Sequence, residues 1–231
     1  MDFQHQFFEA CEIGDFDKTK SLLFNETVNP ADDNNYAIQY ASNNGHYNIV
    51  ELLLGDYRVN PADDNNLAIR FASYNDHFNV VKLFLKDKRV NPSDNNNWAI
   101  KGASKNGHYN IVKLLSKDKR VNPADDNNYA IQLASKNGYY NVVKLLLREN
   151  RVINSFNIDN INYINNNCSK TIINFYKKYF NLYRIIDIFL LINYICNTTI
   201  KLSINYKLPI QLKDFILHYY VYNYRKNYKF L

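Results

Sequence analysis

The chain has 231 residues, is 46% apolar and carries a formal net charge of +6. It therefore holds enough apolar material for a packed protein, and no tract is polar enough to predict long disorder. The charge is unevenly spread: residues 1–150 hold 17 Lys and Arg against 19 Asp and Glu, and residues 151–231 hold 11 against 3, so the basic character belongs to the last third.

Asn, Ile, Lys and Tyr are abundant, and the codons for these residues are AT-rich, so their abundance carries no functional meaning by itself. The opening MDFQHQFFEACEIGDF lacks a basic segment followed by an apolar core, and no secretory signal is expected. Cys11, Cys168 and Cys196 are odd in number, far apart and outside any metal-ligand spacing. Free thiols in a reducing, cytoplasmic compartment are expected.

In chain order, residues 1–28 read as a worn copy of the unit that recurs after them. Ala10 precedes Gly14 by four residues, as Ala41 precedes Gly45, and Leu22-Leu23 fall where Leu53-Leu54 would. A terminal unit needs one polar outer face, so this is an N-terminal cap. Residues 29–152 then hold four units of 31 residues, marked by Asn29, Asn60, Asn91 and Asn122. A fixed period of this length signals a solenoid.

Each unit predicts two short helices. In the first, Ile38, Ala41 and Ser42 share one face at i, i+3 and i+4, a small-residue stripe that allows close helix approach. Gly45 ends it, because glycine readily takes the left-handed conformation of a C-cap. The second, Asn48–Leu54, is apolar almost all round and is predicted to be buried on most sides. Asn48, Asn79, Asn110 and Asn141 are predicted to cap the first amides of these second helices. Between units, Asn-Pro stops the helix, and the run Asp-Asp-Asn-Asn predicts a turn with positive φ.

These residues resemble the ankyrin repeat. The match lies at Asn60 and Asp63 after Val59, at Ala41-Ser42, at Gly45-His46 and Gly107-His108, and at Ile49-Val50 with the Leu run. It covers roughly residues 3–152. The resemblance implies an all-α, ankyrin-type helix-turn-helix solenoid with a C-terminal helical cap or extension. The family's Thr-Pro-Leu-His step reads Tyr36-Ala-Ile-Gln39 here, so the hydrogen-bond network it implies must be absent or rebuilt. The unit is also shorter than the ~33 residues typical of the family, the missing residues falling around the finger, where Asn replaces the usual Gly. This Asn-rich, 31-residue style looks like arrays encoded by large AT-rich DNA viruses and some protists.

Residues 153–181 read as one degenerate repeat, with Ile172-Ile173 at the Ile49-Val50 position. Residues 182–231 are predicted to be a basic helical extension. Its longest apolar run, Ile188–Ile192, is far shorter than the ~20 residues that span a bilayer. The stretch from Leu208-Pro209 to Tyr219 is similar to the F-box-like segment that ends many poxviral ankyrin proteins. That resemblance implies docking of a Skp-type adaptor of a cullin ubiquitin ligase through Leu208, Pro209, Leu212, Phe215 and Ile216. The usual acidic residue is missing, with Gln211 near its place. The tail YYVYNYRKNYKFL mixes aromatics with Arg225, Lys226 and Lys229, which suits single strands or an anionic surface, yet a plain solvated terminus is expected and nucleic acid is not.

No catalytic motif occurs, and neither a cofactor nor a metal is implied. His46, His77 and His108 recur one unit apart, in a row that cannot converge on one ion. Asp32-Asp33 and Asp63-Asp64 recur in solvated turns that build no acid–base site. Function is sought where the copies differ: Tyr36/Leu67/Trp98/Tyr129, Gln39/Arg70/Lys101/Gln132, Tyr40/Phe71/Gly102/Leu133 and Asn43/Tyr74/Lys105/Lys136. By the resemblance, first-helix and finger residues line the concave face where partners bind. The candidate partner-binding residues are Arg70, Tyr74, Trp98, Lys101, Lys105, Gln132 and Lys136. Trp98 reads equally as an interface anchor or as a plug at a helix start. The expected molecule is a monomeric, non-enzymatic scaffold that binds another protein.

Overall fold

A computed structural model describes residues 2–180. The adaptor-docking candidates Leu208, Pro209, Leu212, Phe215 and Ile216, the predicted 182–231 extension and Cys196 lie outside the described residues. By its contacts the chain forms two units, Met1–Asn174 and Phe175–Leu231.

Among the described residues the structure is all-helical, with α1 (Phe3–Ile13), α2 (Phe16–Leu23), α3 (Asp32–Asn43), α4 (Tyr47–Leu54), α5 (Asp63–Tyr74), α6 (Phe78–Phe84), α7 (Asp94–Lys105), α8 (Tyr109–Ser116), α9 (Asp125–Lys136), α10 (Tyr140–Leu146), α11 (Asn150–Ser155), α12 (Ile158–Asn167) and α13 (Lys170–Phe180). Helices α1, α3, α5, α7, α9 and α12 stack in that order, each on the next, and α2, α4, α6, α8 and α10 form a second row. Each unit pairs one helix from each row. None of these helices is long and apolar enough to cross a membrane.

The core is the same few contacts repeated. Ala37, Ile38 and Ala41 from α3 are buried, as are Ile49, Val50 and Leu53 from α4. Their counterparts one unit on are Ala68, Ile69 and Ala72 with Val80, Val81 and Phe84, and so on to Ala130, Ile131 and Ala134 with Val142, Val143 and Leu146. Alanine on the first helix lets its neighbours approach closely, while the branched residues of the second helix fill the space between rows.

The Asp-Asp-Asn-Asn run forms a left-handed turn of three successive residues. Asp33, Asn34 and Asn35 have φ of 50°, 56° and 63°, and the pattern returns at Asp64–Asn66, Asn95–Asn97 and Asp126–Asn128. The right-handed helix therefore begins only at Tyr36 and its equivalents. This conformation costs most L-residues ~1–2 kcal/mol each, and Asn and Asp tolerate it best because their short side chains bond locally.

At the other end of the first helix, Gly45, Gly107 and Gly138 sit at φ of 77° or 78°, as the sequence predicts, and Asp76 takes the same conformation at φ 65°. A Cβ at Gly45 would stand 2.3 Å from the His77 ring, so glycine here serves both the turn and the next unit's approach. The predicted caps at Asn48, Asn79, Asn110 and Asn141 do not form. The Ile49 and Val50 amides donate to the His46 carbonyl (both 3.0 Å), so the second helix starts at Tyr47. This places His46 at the cap position, with no side-chain cap bond, and puts Asn48 inside the first turn.

Beyond α10 the pattern loosens. Asn157 caps α12 in a reciprocal capping box with Asn160, and α12 packs on α9 much as α9 packs on α7.

Candidate functional site

Three series of recurring polar residues are spent on contacts between units. Asn35 Nδ2 donates to Asp63 (2.8 Å) while its Oδ1 accepts from the Asn60 amide (2.7 Å). Asn66 does the same for Asp94 and Asn91, and Asn97 for Asp125 and Asn122. Asn128 ends the series on the fully buried Asn160 (3.1 Å). The ring Nε2 of His46, His77 and His108 donates to the carbonyls of Glu12, Asn43 and Tyr74, each at 2.8 Å. These histidines finish the preceding first helix, whose last carbonyls have no partner of their own.

A third series comes from arginine. Arg58 donates to the Val28 and Leu23 carbonyls (both 3.2 Å) and pairs with Asp56 at 2.6 Å. Arg89 and Arg120 repeat this with Asp87 and Asp118. Arg151 bonds the Val121 and Ser116 carbonyls and pairs with Glu149 at 3.7 Å. Bonding to the guanidinium holds the Asp56, Asp87 and Asp118 carboxyls below their usual range, against a smaller opposing effect of burial.

On the exposed side of the first-helix row the picture is different. Here aromatic rings meet without entering the core. Phe8 lies 5.0 Å from Tyr36, Tyr36 stacks on Tyr40 at 4.0 Å, and Tyr40 meets Phe71 edge-on at 6.4 Å. All four are half-buried. Further along, Tyr74 stacks on Trp98 at 5.6 Å with 29° between the rings. The Arg70 guanidinium sits over Trp98 at 5.1 Å, and Lys105 Nζ over Tyr74 at 5.8 Å. Trp98 is half-buried and lies down against Gly102, where any Cβ would come within 2.9 Å of its Cζ3.

The seven candidates thus divide. Arg70, Tyr74, Trp98 and Lys105 are brought together across α5 and α7. Lys136 is exposed on the last turn of α9. Lys101 and Gln132 are buried at 7% exposure each. Lys101 pairs with Asp126 (3.3 Å) and Asp125 (3.7 Å) of the next unit, and Gln132 Nε2 donates to the Asn127 carbonyl (2.7 Å) inside its own left-handed turn. Gln39 does the same with Asn34 (2.6 Å). At this position Gln39 and Gln132 make the same bond to their own turn, Lys101 pairs with the next unit's turn, and Arg70 makes one 3.3 Å contact to the Asp64 carbonyl.

Cys11 is buried, and burial pushes its thiol up to about 12, which disfavours the nucleophilic thiolate. Among the described residues no group of three His, Cys, Asp or Glu side chains is placed to hold a metal ion.

The family model described as ankyrin repeats (3 copies) matches residues 7–96 and again residues 93–162. The chain is an ankyrin-repeat protein. Ankyrin repeats are in general protein–protein interaction modules, and the family is typically non-enzymatic. No curated protein matches this chain. In this ankyrin array the third residue of the left-handed turn, Asn35 and its equivalents, ties each unit to the next. Sequence reasoning missed that ladder and the arginine series. The periodic Asp-x-Arg at Asp56/Arg58, Asp87/Arg89 and Asp118/Arg120 was the available signal for the latter.

Proposed function

We propose that this ankyrin array is a non-enzymatic scaffold that binds another protein through the concave face formed by its first helices. The observation that carries this reading is the Arg70–Trp98–Tyr74–Lys105 cluster. Tryptophan, tyrosine and arginine are the residue types that most often anchor interfaces, and here they are half-buried, mutually stacked and outside the core. A surface aromatic needed only for folding would be expected to sink into the core contacts, as Phe84 does at 0% exposure. The test is affinity purification with the full chain and with Trp98→Ala and Tyr74→Ala. Loss of a partner with a melting temperature close to that of the parent supports the reading. Unfolding by Trp98→Ala would remove it as an anchor.

A second reading is motivated by the sequence of residues 208–219. In it the array holds a target while Leu208, Pro209, Leu212, Phe215 and Ile216 dock a Skp-type adaptor of a ubiquitin ligase, in the manner of poxviral ankyrin proteins acting in a host cytoplasm. Deleting residues 205–231 then abolishes co-purification of that adaptor, and retention defeats this reading. We further propose a monomer in a reducing cytoplasm, in keeping with the free Cys11 and Cys168.

A further inference from the structure

Resting on the first-helix face as the binding surface, we propose that the Arg70–Trp98–Tyr74–Lys105 cluster is a pocket for a carboxylate of the partner, an Asp or Glu side chain in an acidic segment of that protein. The reasoning starts from a contrast among arginines. Arg58, Arg89, Arg120 and Arg151 each meet two carbonyls and a carboxylate. Arg148 stands exposed in solvent. Arg70 fits neither group. It is half-buried, yet its one hydrogen bond among the described residues is a 3.3 Å contact from Nη1 to the Asp64 carbonyl, and its buried Nε has no partner. Asp64 and Asp94 attract it from a distance, but neither closes an ion pair.

A guanidinium has five N–H donors in a rigid plane. With the Trp98 ring 5.1 Å from its Cζ and Nη1 on the Asp64 carbonyl, Arg70 keeps Nη2, and the two terminal nitrogens form the fork that takes a carboxylate through two parallel bonds. Partial burial strengthens such a pair relative to one in open water. Lys105 adds a second cation beside Tyr74, and it is exposed and forms no ion pair among the described residues. Lys101, by contrast, is already neutralised by Asp125 and Asp126.

The sequence makes room for this platform in one unit only. The position of Gly102 is Tyr40, Phe71 and Leu133 in the other units. Only a residue without a Cβ lets the Trp98 ring lie flat beneath Arg70 and against Tyr74. Four departures from the repeat (Arg70, Tyr74, Trp98 and Gly102) therefore converge on one spot. Two cations without carboxylate partners, set on an aromatic floor, call for an anion from outside.

The test uses the full chain as bait for a random 12-residue peptide display library, because the partner is unidentified. Enriched peptides are then synthesised with each Asp or Glu intact or replaced by Asn or Gln. The expected result is a pool rich in Asp and Glu, with at least a tenfold rise in Kd when the critical carboxylate is neutralised. Arg70→Gln should bring a similar loss. Arg70→Lys, which keeps the charge and stem but not the planar fork, should also weaken binding and guards against a folding defect. Gly102→Ala, which lifts the Trp98 ring, should weaken the same peptides. A pool without acidic bias, no enriched pool, binding only by phosphorylated peptides, or an unchanged Kd in Arg70→Gln overturns the carboxylate pocket. Non-acidic peptides that still depend on Trp98 would sink the pocket while leaving the first-helix reading in place. Enriched peptides indifferent to both Trp98→Ala and Tyr74→Ala would defeat both.

Discussion

The loop side of each unit and the exposed side of its first helix follow opposite rules. On the loop side every copy does the same thing: Asn35, Asn66 and Asn97 tie one left-handed turn to the next, and Arg58, Arg89, Arg120 and Arg151 reach carbonyls 30 and 35 residues back. On the first-helix side the copies diverge, and the rings meet in pairs, Tyr40 with Phe71 and Tyr74 with Trp98, while staying half-exposed. In a solenoid each unit contacts only its neighbours, so a staple that works once can be copied. A partner touches several units at once and has no reason to present the same surface to each.

This contrast can be broken by substitution. The largest effect is expected in the core, where Leu53→Ala leaves a cavity and should cost about 2–5 kcal/mol, read as a lower denaturation midpoint at unchanged slope. Next comes the asparagine ladder. Asn97→Ala strands the Asn122 amide and leaves the Asp125 carboxylate with Lys101 alone, and should cost about 1–3 kcal/mol, without touching the aromatic face. If Asn97→Ala is neutral, the turns are held by local chemistry alone.

The arginine series offers a sharper cut. Arg120→Lys keeps the charge but cannot reach the Val90 and Leu85 carbonyls together, so it should destabilise nearly as much as Arg120→Ala. The same series sets a pH window. The Asp56, Asp87 and Asp118 carboxyls are held below their unfolded value. Their contribution is therefore fully present above the unfolded carboxylate pKa of about 3.9 and is lost as pH falls through the lower folded values. Melting temperature measured from pH 6 to pH 2 should fall below about pH 4, and less steeply in Asp118→Asn. The smallest stability effect belongs to the proposed binding face. Trp98→Ala removes ring contacts that contribute about 0.5–1.5 kcal/mol each, and its main consequence should be lost partner binding.

Much of the array was legible from residues alone. The 31-residue period, the paired helices, the glycine turn at Gly45 and the left-handed Asp-Asp-Asn-Asn run all follow from local conformational preference and apolar spacing, which need no knowledge of neighbours. The site was less legible. Treating variation between copies as freedom to bind leaves Tyr74 and Trp98 half-exposed, but it places Lys101 and Gln132 on a surface from which their internal bonds withdraw them. Asn48 shows a related limit: a capping residue one position from a helix start is indistinguishable in sequence from one at it.

By itself, then, the sequence determined that this protein is a stack of helix pairs, because apolar residues at helical spacing in a 31-residue unit are buried by pairing two helices and stacking the pairs. Only the tertiary structure decided which of its many polar residues are spent on the neighbouring unit and which are left over. Nearly every unit offers Asn, Asp, Lys or Arg within reach of the same carbonyls, and the choice among them depends on distances between residues about 30 apart in the chain. Arg70 is left over by that choice, and the aromatic floor beneath it exists because Gly102 lets Trp98 lie flat.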